Sequence, residues 1–211
     1  MKKPNKNRLS REIRGFANLI INRRERWEQM YREEQWEFLN SPEQKARHYL
    51  ISRWIQERYP QGARVLDIGC GEAVLFTIIK DHLKSYTGID IAETATERCR
   101  EKYGRDPRCR FETCAFESYE SDERFDAIVF NEVLYYFPLF SAVPQLERAF
   151  RLLHGDSGCV IVSLNKNPKA RLVGLLLDRR FSPVQSIRIE NGLVGSAWTV
   201  SLYSNTRPPT Q

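Results

Sequence analysis

An α/β fold with a doubly wound, mostly parallel sheet follows from three observations on this 211-residue chain. Short apolar runs alternate with helically spaced segments from Arg64 to Ser163, and strands joined by helical crossovers pair in parallel. The first run, Arg64–Ile68, leads directly into Gly69-Cys70-Gly71 and then into helical spacing from Ala73 to Lys80. That strand, glycine turn and helix form the opening of a nucleotide-binding βαβ unit. Later in the chain, Gln185–Glu190 and Ala197–Tyr203 flank Asn191-Gly192, a hairpin signal that predicts antiparallel closure of the sheet.

Taken in order, residues 1–60 carry no strand signal and read as a helical arm and cap. Ile13, Phe16, Ala17 and Ile20 repeat at helical spacing among arginines. Such a helix either packs on its own domain or meets an anionic membrane surface or an acidic partner. Ser41-Pro42-Glu43 marks a helix start, and Pro60-Gln61-Gly62 closes the segment. Between and around them lie Trp27, Tyr31, Trp36, His48, Tyr49, Arg53 and Trp54, a dense aromatic and basic set. The strands expected next are Arg64–Ile68, Tyr86–Asp90, Arg110–Thr113, Phe125–Asn131 and Cys159–Leu164. Ser141–Leu153 is the helix before the fifth, ending in the turn His154-Gly155-Asp156-Ser157-Gly158. Asn165-Lys166-Asn167-Pro168 reads as a linker to a short apolar helix, Ala170–Leu177, and the hairpin follows. The expected organisation is an arm and cap over 1–60, one domain over 61–205 and a frayed tail over 206–211.

Composition narrows the function. The net charge of +6 is concentrated in residues 1–24, where eight basic side chains face Glu12 alone, so the rest of the chain sums to −1. A nucleic-acid enzyme would carry its basic residues beside the site, so nucleic acid is not the expected partner. No apolar run approaches the roughly twenty residues that span a bilayer. Met1–Arg8 lacks the apolar stretch of a signal peptide. Five cysteines without Cys-x-x-Cys spacing read as free thiols in a reducing cytoplasm, with no metal site.

The glycine turn is specific in what it lacks. Gly69-x-Gly71-x-x-Val74 has no third glycine, and Asp67 stands two residues before the first. A carboxylate at the strand tip repels a pyrophosphate and suits a cationic ligand. Asp90 ends the next strand about twenty residues on, where a carboxylate reaches ribose hydroxyls. By itself, Asp90 also reads as an N-cap for the helix starting near Ala92.

The string Val65-Leu66-Asp67-Ile68-Gly69-Cys70-Gly71, with Asp90 behind it, resembles motif I of the class I S-adenosylmethionine (SAM) methyltransferases. The resemblance implies a Rossmann-like, seven-stranded sheet with an antiparallel final strand. It also implies SAM as cofactor, held by Asp67, Gly69, Cys70, Gly71, Asp90 and Ile91, with Asn131 at the fourth strand end. Family members often carry Gly-Asp-Ala after the third strand. Cys114-Ala115-Phe116 stands there instead, so adenine recognition would fall to the backbone at Ala115 and the ring of Phe116. Asn131-Glu132-Val133-Leu134-Tyr135-Tyr136-Phe137 resembles the nodulation type of small-molecule N-methyltransferases.

The helices before the first strand would cap the cofactor and shape an acceptor pocket, with His48 and Tyr49 as candidate contacts. Glu132 is the first candidate to take the acceptor's proton, with His48 and Tyr135 as alternatives. The fourth strand lacks the two prolines of amide and DNA methyltransferases, and no cysteine follows a proline. The expected reaction is methyl transfer to an oxygen or nitrogen of a small molecule. An RNA or protein methyltransferase, or a non-catalytic SAM-fold binding protein, are the alternatives.

Overall fold

In the computed structural model, described over residues 24–33, 41–191 and 195–204, seven strands build a single sheet. They are β1 (Ala63–Ile68), β2 (Leu83–Asp90), β3 (Cys109–Thr113), β4 (Ala127–Asn131), β5 (Cys159–Asn165), β6 (Gln185–Asn191) and β7 (Ser196–Ser204). Their order is β3-β2-β1-β4-β5-β7-β6. The first five pair in parallel, and β7 runs antiparallel to both β5 and β6. The Rossmann-like sheet expected from the alternation and the hairpin is therefore present. The chain leaves β1 toward β2 on one side and toward β4 on the other, so strand order reverses there. Ligands in open α/β sheets bind outside the strand ends at such a reversal.

Alternation along each strand sends its apolar residues to both faces. Ala63, Val65, Ala127, Val129 and Ile161 meet Ile51 and Ile55 of α2 (Pro42–Arg58) and Phe76 of α3 (Val74–Ile79). Cys99 of α4 (Glu93–Tyr103) joins them. Leu66, Ile68, Ile128, Phe130, Val160 and Val162 face the other way, against Leu146 of α5 (Ala142–Arg151) and Val173 of α6 (Pro168–Arg180). Both faces of the parallel strands are thus covered, as their continuous apolar runs require. One further helix, α1 (24–32), precedes these.

Three of the boundaries that differ from the sequence reading have a visible cause. β4 starts at Ala127, not Phe125, because the Asp126 carboxylate turns to the start of β1, accepting from Arg64 N at 2.8 Å and pairing with its guanidinium at 3.1 Å. β2 begins earlier, at Leu83, where it pairs with Ala63. The segment read as a linker is the cap of α6. The Asn167 side chain accepts from Ala170 N at 2.8 Å and Pro168 occupies the first turn, so the helix runs to Arg180. Ile13, Phe16, Ala17, Ile20, Trp36, Gly192 and the 206–211 tail lie outside the described residues. So does nearly all of the basic 1–24 arm, and with it the contact expected of that arm. Among the described residues no helix is long and apolar enough to cross a membrane.

Candidate functional site

Beyond the carboxyl ends of β1, β2 and β4 lies a cavity of about 640 Å³. Its floor is the glycine turn. Gly69 and Cys70 donate their backbone N–H groups to Ile89 O at 2.8 and 3.0 Å, bending the chain across the end of β2. Gly69 adopts φ +68° and Gly71 φ +53°, and each packs too closely for a side chain. A Cβ on Gly69 would stand 2.6 Å from Val133 Cγ2, and one on Gly71 would stand 2.8 Å from the Tyr31 hydroxyl. The turn is therefore a bare-backbone cradle of the kind that lets a ligand approach.

Two buried carboxylates flank it. Asp90 accepts from Gly71 N at 3.1 Å with one oxygen and from Ala92 N at 2.9 Å with the other. It thus fastens the turn to the residue before α4; the N-cap position is Ala92, and the first N–H groups of α4 are met by Glu28, so Asp90 is not the N-cap that the sequence allowed. Asp67 accepts from the Tyr86 hydroxyl at 2.5 Å. Burial pushes both acids up, Asp67 to about 7 and Asp90 to about 6, against the lowering effect of their hydrogen bonds. Each carboxyl lines the cavity. Acids held half-ready to ionise beside an enclosed space suit a ligand that brings positive charge. The amino group and sulfonium expected of SAM fit that donor set.

The roof comes from the first two helices. Glu28 of α1 accepts from the backbone N–H groups of Glu93 and Thr94 and, at 2.7 Å, from the Thr94 hydroxyl. A carboxylate from one helix thereby satisfies the free N–H groups opening another. This anchors α1 so that Tyr31 overlies Gly71 and Trp27 meets Tyr136 edge-on, with ring centroids 4.6 Å apart.

From α2 a closed polar ring reaches the end of β4. Arg47 Nε donates to Asn131 Oδ1 at 3.0 Å, while Asn131 Nδ2 sits 2.7 Å from His48 Nε2. His48 Nδ1 lies 3.2 Å from Gln44 O, and Arg47 Nη1 donates to the same carbonyl at 2.9 Å. These contacts assign the proton to Nδ1 and leave Nε2 as an acceptor already used by Asn131. Burial and then the Arg47 charge push His48 down to about 3. The histidine is therefore neutral at physiological pH, with its one basic nitrogen occupied, and it is a poor proton acceptor.

Glu132 follows Asn131 at φ +62°, unusual for a residue with a side chain. That conformation turns its carboxylate inward, where it accepts from Ser163 Oγ and from the Tyr135 hydroxyl, both at 3.0 Å. Asn165 Nδ2 in turn donates to the Tyr135 oxygen at 2.8 Å. Burial raises the Glu132 carboxyl, and Arg47 opposes the rise. Burial also holds Tyr135 well above the ordinary phenol range. Glu132 is thus the one of the three acid–base candidates with both a cavity-facing carboxylate and a fixed geometry.

The other candidates are distributed as follows. Cys70, Ile91 and Asn131 line the cavity. Phe116 lines it too, although its ring is packed edge-on against Phe130 with centroids 5.4 Å apart. Cys114 and Glu117 border the cavity on either side of Ala115, whose carbonyl instead accepts from Ser118. Tyr49 is 58% exposed and outside the cavity, because it sits one helical step, about 100°, beyond His48 on α2 and turns to solvent. Glu28, Gln44, Arg47 and Trp198 were not singled out by sequence. Among the described residues no group of three or more His, Cys, Asp and Glu side chains is placed to hold a metal ion.

A family model described as a methyltransferase domain matches residues 60–186. The ubiquinone biosynthesis O-methyltransferase of Pseudomonas entomophila is 29% identical over 127 residues, covering 58% of this chain and 54% of that protein. The mitochondrial counterpart from Bos taurus is 25% identical over 129 residues, 58% of this chain and 34% of its own length. The chain thus spans about half the length, or less, of these curated relatives. Among solved structures, N-methyltransferase NodS from Bradyrhizobium japonicum with S-adenosyl-l-homocysteine (SAH) superposes with a TM-score of 0.71 at 18% identity, covering 82% of this chain and 92% of that one. The 1,6-didemethyltoxoflavin-N1-methyltransferase of Burkholderia thailandensis gives 0.74 at 19% identity, over 92% and 90% of the two chains. At such identities the likeness is one of fold.

Proposed function

The chain belongs to the methyltransferase-domain family, whose methyl donor is SAM, and from that premise we propose that its acceptor is a small molecule methylated at oxygen or nitrogen. The observation that supports this reading is the partial roofing of the site by side chains of the first two helices. The cavity of about 640 Å³ is roofed by Trp27 and Tyr31 of α1 and by Arg47 and His48 of α2. It falls within the roughly 300–1,000 Å³ of small-molecule sites. An RNA or protein acceptor would have to reach the strand ends past these two helices.

Bound beside the glycine turn, SAM would supply a sulfonium methyl group that needs no further activation. The work left to the chain is orientation, exclusion of water and removal of the acceptor's proton. Gly69 and Gly71 would admit the cofactor against the backbone, and the Asp90 oxygens retain lone pairs for ribose hydroxyls beyond the two N–H groups they already accept. Glu132 would take the proton, its carboxylate held by Ser163 and Tyr135. Glu132→Gln is expected to lower kcat at least about 100-fold on any acceptor that must lose a proton, while SAH affinity stays within about twofold. Unchanged turnover would remove Glu132 as the base. The wider test is transfer of labelled methyl from SAM to pooled phenols and amines set beside RNA and protein. Label appearing only in macromolecules would overturn the small-molecule reading.

The two raised acids predict a pH dependence with a definite sign. In the free protein Asp67 and Asp90 take up protons as pH falls through about 7 and about 6. A cationic ligand favours their ionised forms, so binding releases protons and affinity falls on acidification. The expected decline in SAM affinity below about pH 6 is about tenfold per pH unit for each linked proton. Calorimetry in buffers of different ionisation enthalpy measures that release directly. Affinity that is flat between about pH 5 and pH 7 would show that neither acid meets the cofactor's charge.

A further inference from the structure

A second cavity, of about 530 Å³, lies between α6 and the part of the sheet formed by β5, β7 and β6. It shares a wall with the first cavity, since Asn165, Lys166, Ala197 and Trp198 line both. Its floor is apolar at Val162 and Leu164 of β5 and polar at Ser201 and Ser186, whose hydroxyls lie 3.0 Å apart. Its side is the face of α6 that carries Arg171, Gly174, Leu175 and Asp178, three and four residues apart.

Two features distinguish this space from an ordinary solvated sheet face. Gly174 stands in the middle of α6, where glycine is a poor helix former. A Cβ there would meet only Leu164 Cδ1, at an ordinary 3.5 Å, so packing does not require a glycine. A longer side chain at this position would instead fill the cavity. The second feature is charge.

Lys166, Arg171 and Arg188 line the cavity against a single acid, Asp178, which accepts from the Tyr203 hydroxyl at 3.3 Å. Lys166 donates to a neutral group, Gly195 O. Arg188 pairs with Glu190, but both side chains are well exposed, and such a pair contributes little. Among the described residues the Arg171 side chain has neither an ion pair nor a hydrogen bond. An excess of cations beside an apolar floor suits an oxyanion on an apolar stem. We propose that this cavity is a second subsite for the methyl acceptor, holding an apolar arm that ends in a carboxylate or a phosphate, with Arg171 as the oxyanion's first contact. The arm passes the shared wall of Lys166 and Trp198 to reach the reacting end of the acceptor. From Asn165 at the strand end to Val162 on the floor is three strand residues, about 10 Å, so the acceptor is elongated. This rests on the small-molecule reading above and adds that the acceptor is anionic at the end remote from the methylated atom.

Hexyl phosphate, hexanoate and the neutral 1-hexanol would be titrated in turn into SAH-loaded protein, following the methyl signals of Leu164 and Leu175 and the indole N–H of Trp198 by NMR. At least one anion is expected to bind at least about tenfold more tightly than 1-hexanol and to shift all three residues. Tighter hexyl phosphate identifies the group as a phosphate, and tighter hexanoate as a carboxylate. Arg171→Gln, a surface change, is expected to weaken the preferred anion at least about fivefold and to leave 1-hexanol unchanged. Gly174→Phe is expected to abolish binding of all three, and both variants to keep SAH affinity within about twofold of wild type. Equal binding of the three probes to the wild-type protein overturns the proposal whatever the variants do. Displacement of SAH by the anions also overturns it, since the oxyanion would then occupy the cofactor's place. Methyl label found only in macromolecules is a different result: it would overturn the small-molecule reading, and the assignment of this cavity to an acceptor with it.

Discussion

Gly69→Ala is expected to abolish measurable SAH binding and to cost about 2–5 kcal/mol of folding stability. Two effects add. Gly69 sits at φ +68°, where an L side chain costs about 1–2 kcal/mol. The new methyl would also stand 2.6 Å from Val133 Cγ2 and 3.0 Å from Val133 Cβ. Overpacking of that kind costs about 1–3 kcal/mol. Val133 has little room to yield, because the residues after it, Leu134 and Tyr135, are buried in the core. Relief therefore has to come from the glycine turn itself, which moves the N–H groups of Gly69 and Cys70 away from Ile89 O. Urea denaturation and calorimetry with SAH read the two consequences separately. Gly174→Ala in α6 is the matched control: its Cβ would meet Leu164 Cδ1 at an ordinary 3.5 Å, and the gain in helix propensity makes it neutral or stabilising by up to about 1 kcal/mol. Full SAH affinity in Gly69→Ala would show that the turn is not the cofactor's seat.

What the sequence made legible is local. The strand–glycine–helix of residues 63–79 is written in neighbouring residues, because backbone turning and close approach are properties of glycine itself. The final hairpin and the parallel order follow from alternation and crossover rules that also act over short stretches. The linker reading of Asn165-Lys166-Asn167-Pro168 failed because the same residue types serve loops and helix caps. Only the bond from Ala170 N to the Asn167 side chain decides between them.

The roof of the site was least legible. Arg47 lies in the run Lys45-Ala46-Arg47-His48, which reads as a solvated helix face, and the partner that draws it inward is Asn131, 84 residues later. Glu28 is likewise one charge among many in a segment of mixed charge, and its role depends on the start of α4, more than sixty residues on. Aromatic density singled out His48 and Tyr49 together. Adjacent helical positions point about 100° apart, and packing on the sheet set the phase so that Arg47 and His48 face the cavity while Tyr49 turns to solvent.

Asp90→Ala is the substitution expected to weaken cofactor binding most without overpacking anything. Its carboxylate satisfies Gly71 N at 3.1 Å and Ala92 N at 2.9 Å, and alanine leaves both donors unmet. Each unsatisfied buried N–H costs about 1–3 kcal/mol. Part of that loss is offset, because burial had already made ionisation of Asp90 unfavourable, as its rise to about 6 records. The net expectation is a stability loss of about 2–3 kcal/mol near neutral pH, and a larger loss as pH falls through about 6, because the offset disappears once the wild-type acid is protonated. SAH affinity should fall at least about 100-fold, since the proposed ribose acceptor and the anchor of the glycine turn are the same group. Asp90→Asn separates these roles. Its amide oxygen can still accept one of the two N–H groups, but its NH₂ confronts the other, so cofactor affinity should be intermediate. Asp90→Asn also deletes one of the two titrating acids. The pH dependence of SAM binding should then keep only the component of Asp67, shifted downward because the Asp90 charge that helps to raise it is gone. An Asp90→Asn protein that retained the full wild-type pH profile would assign the linked protons to groups other than Asp90, and the cofactor's charge to another part of the cavity.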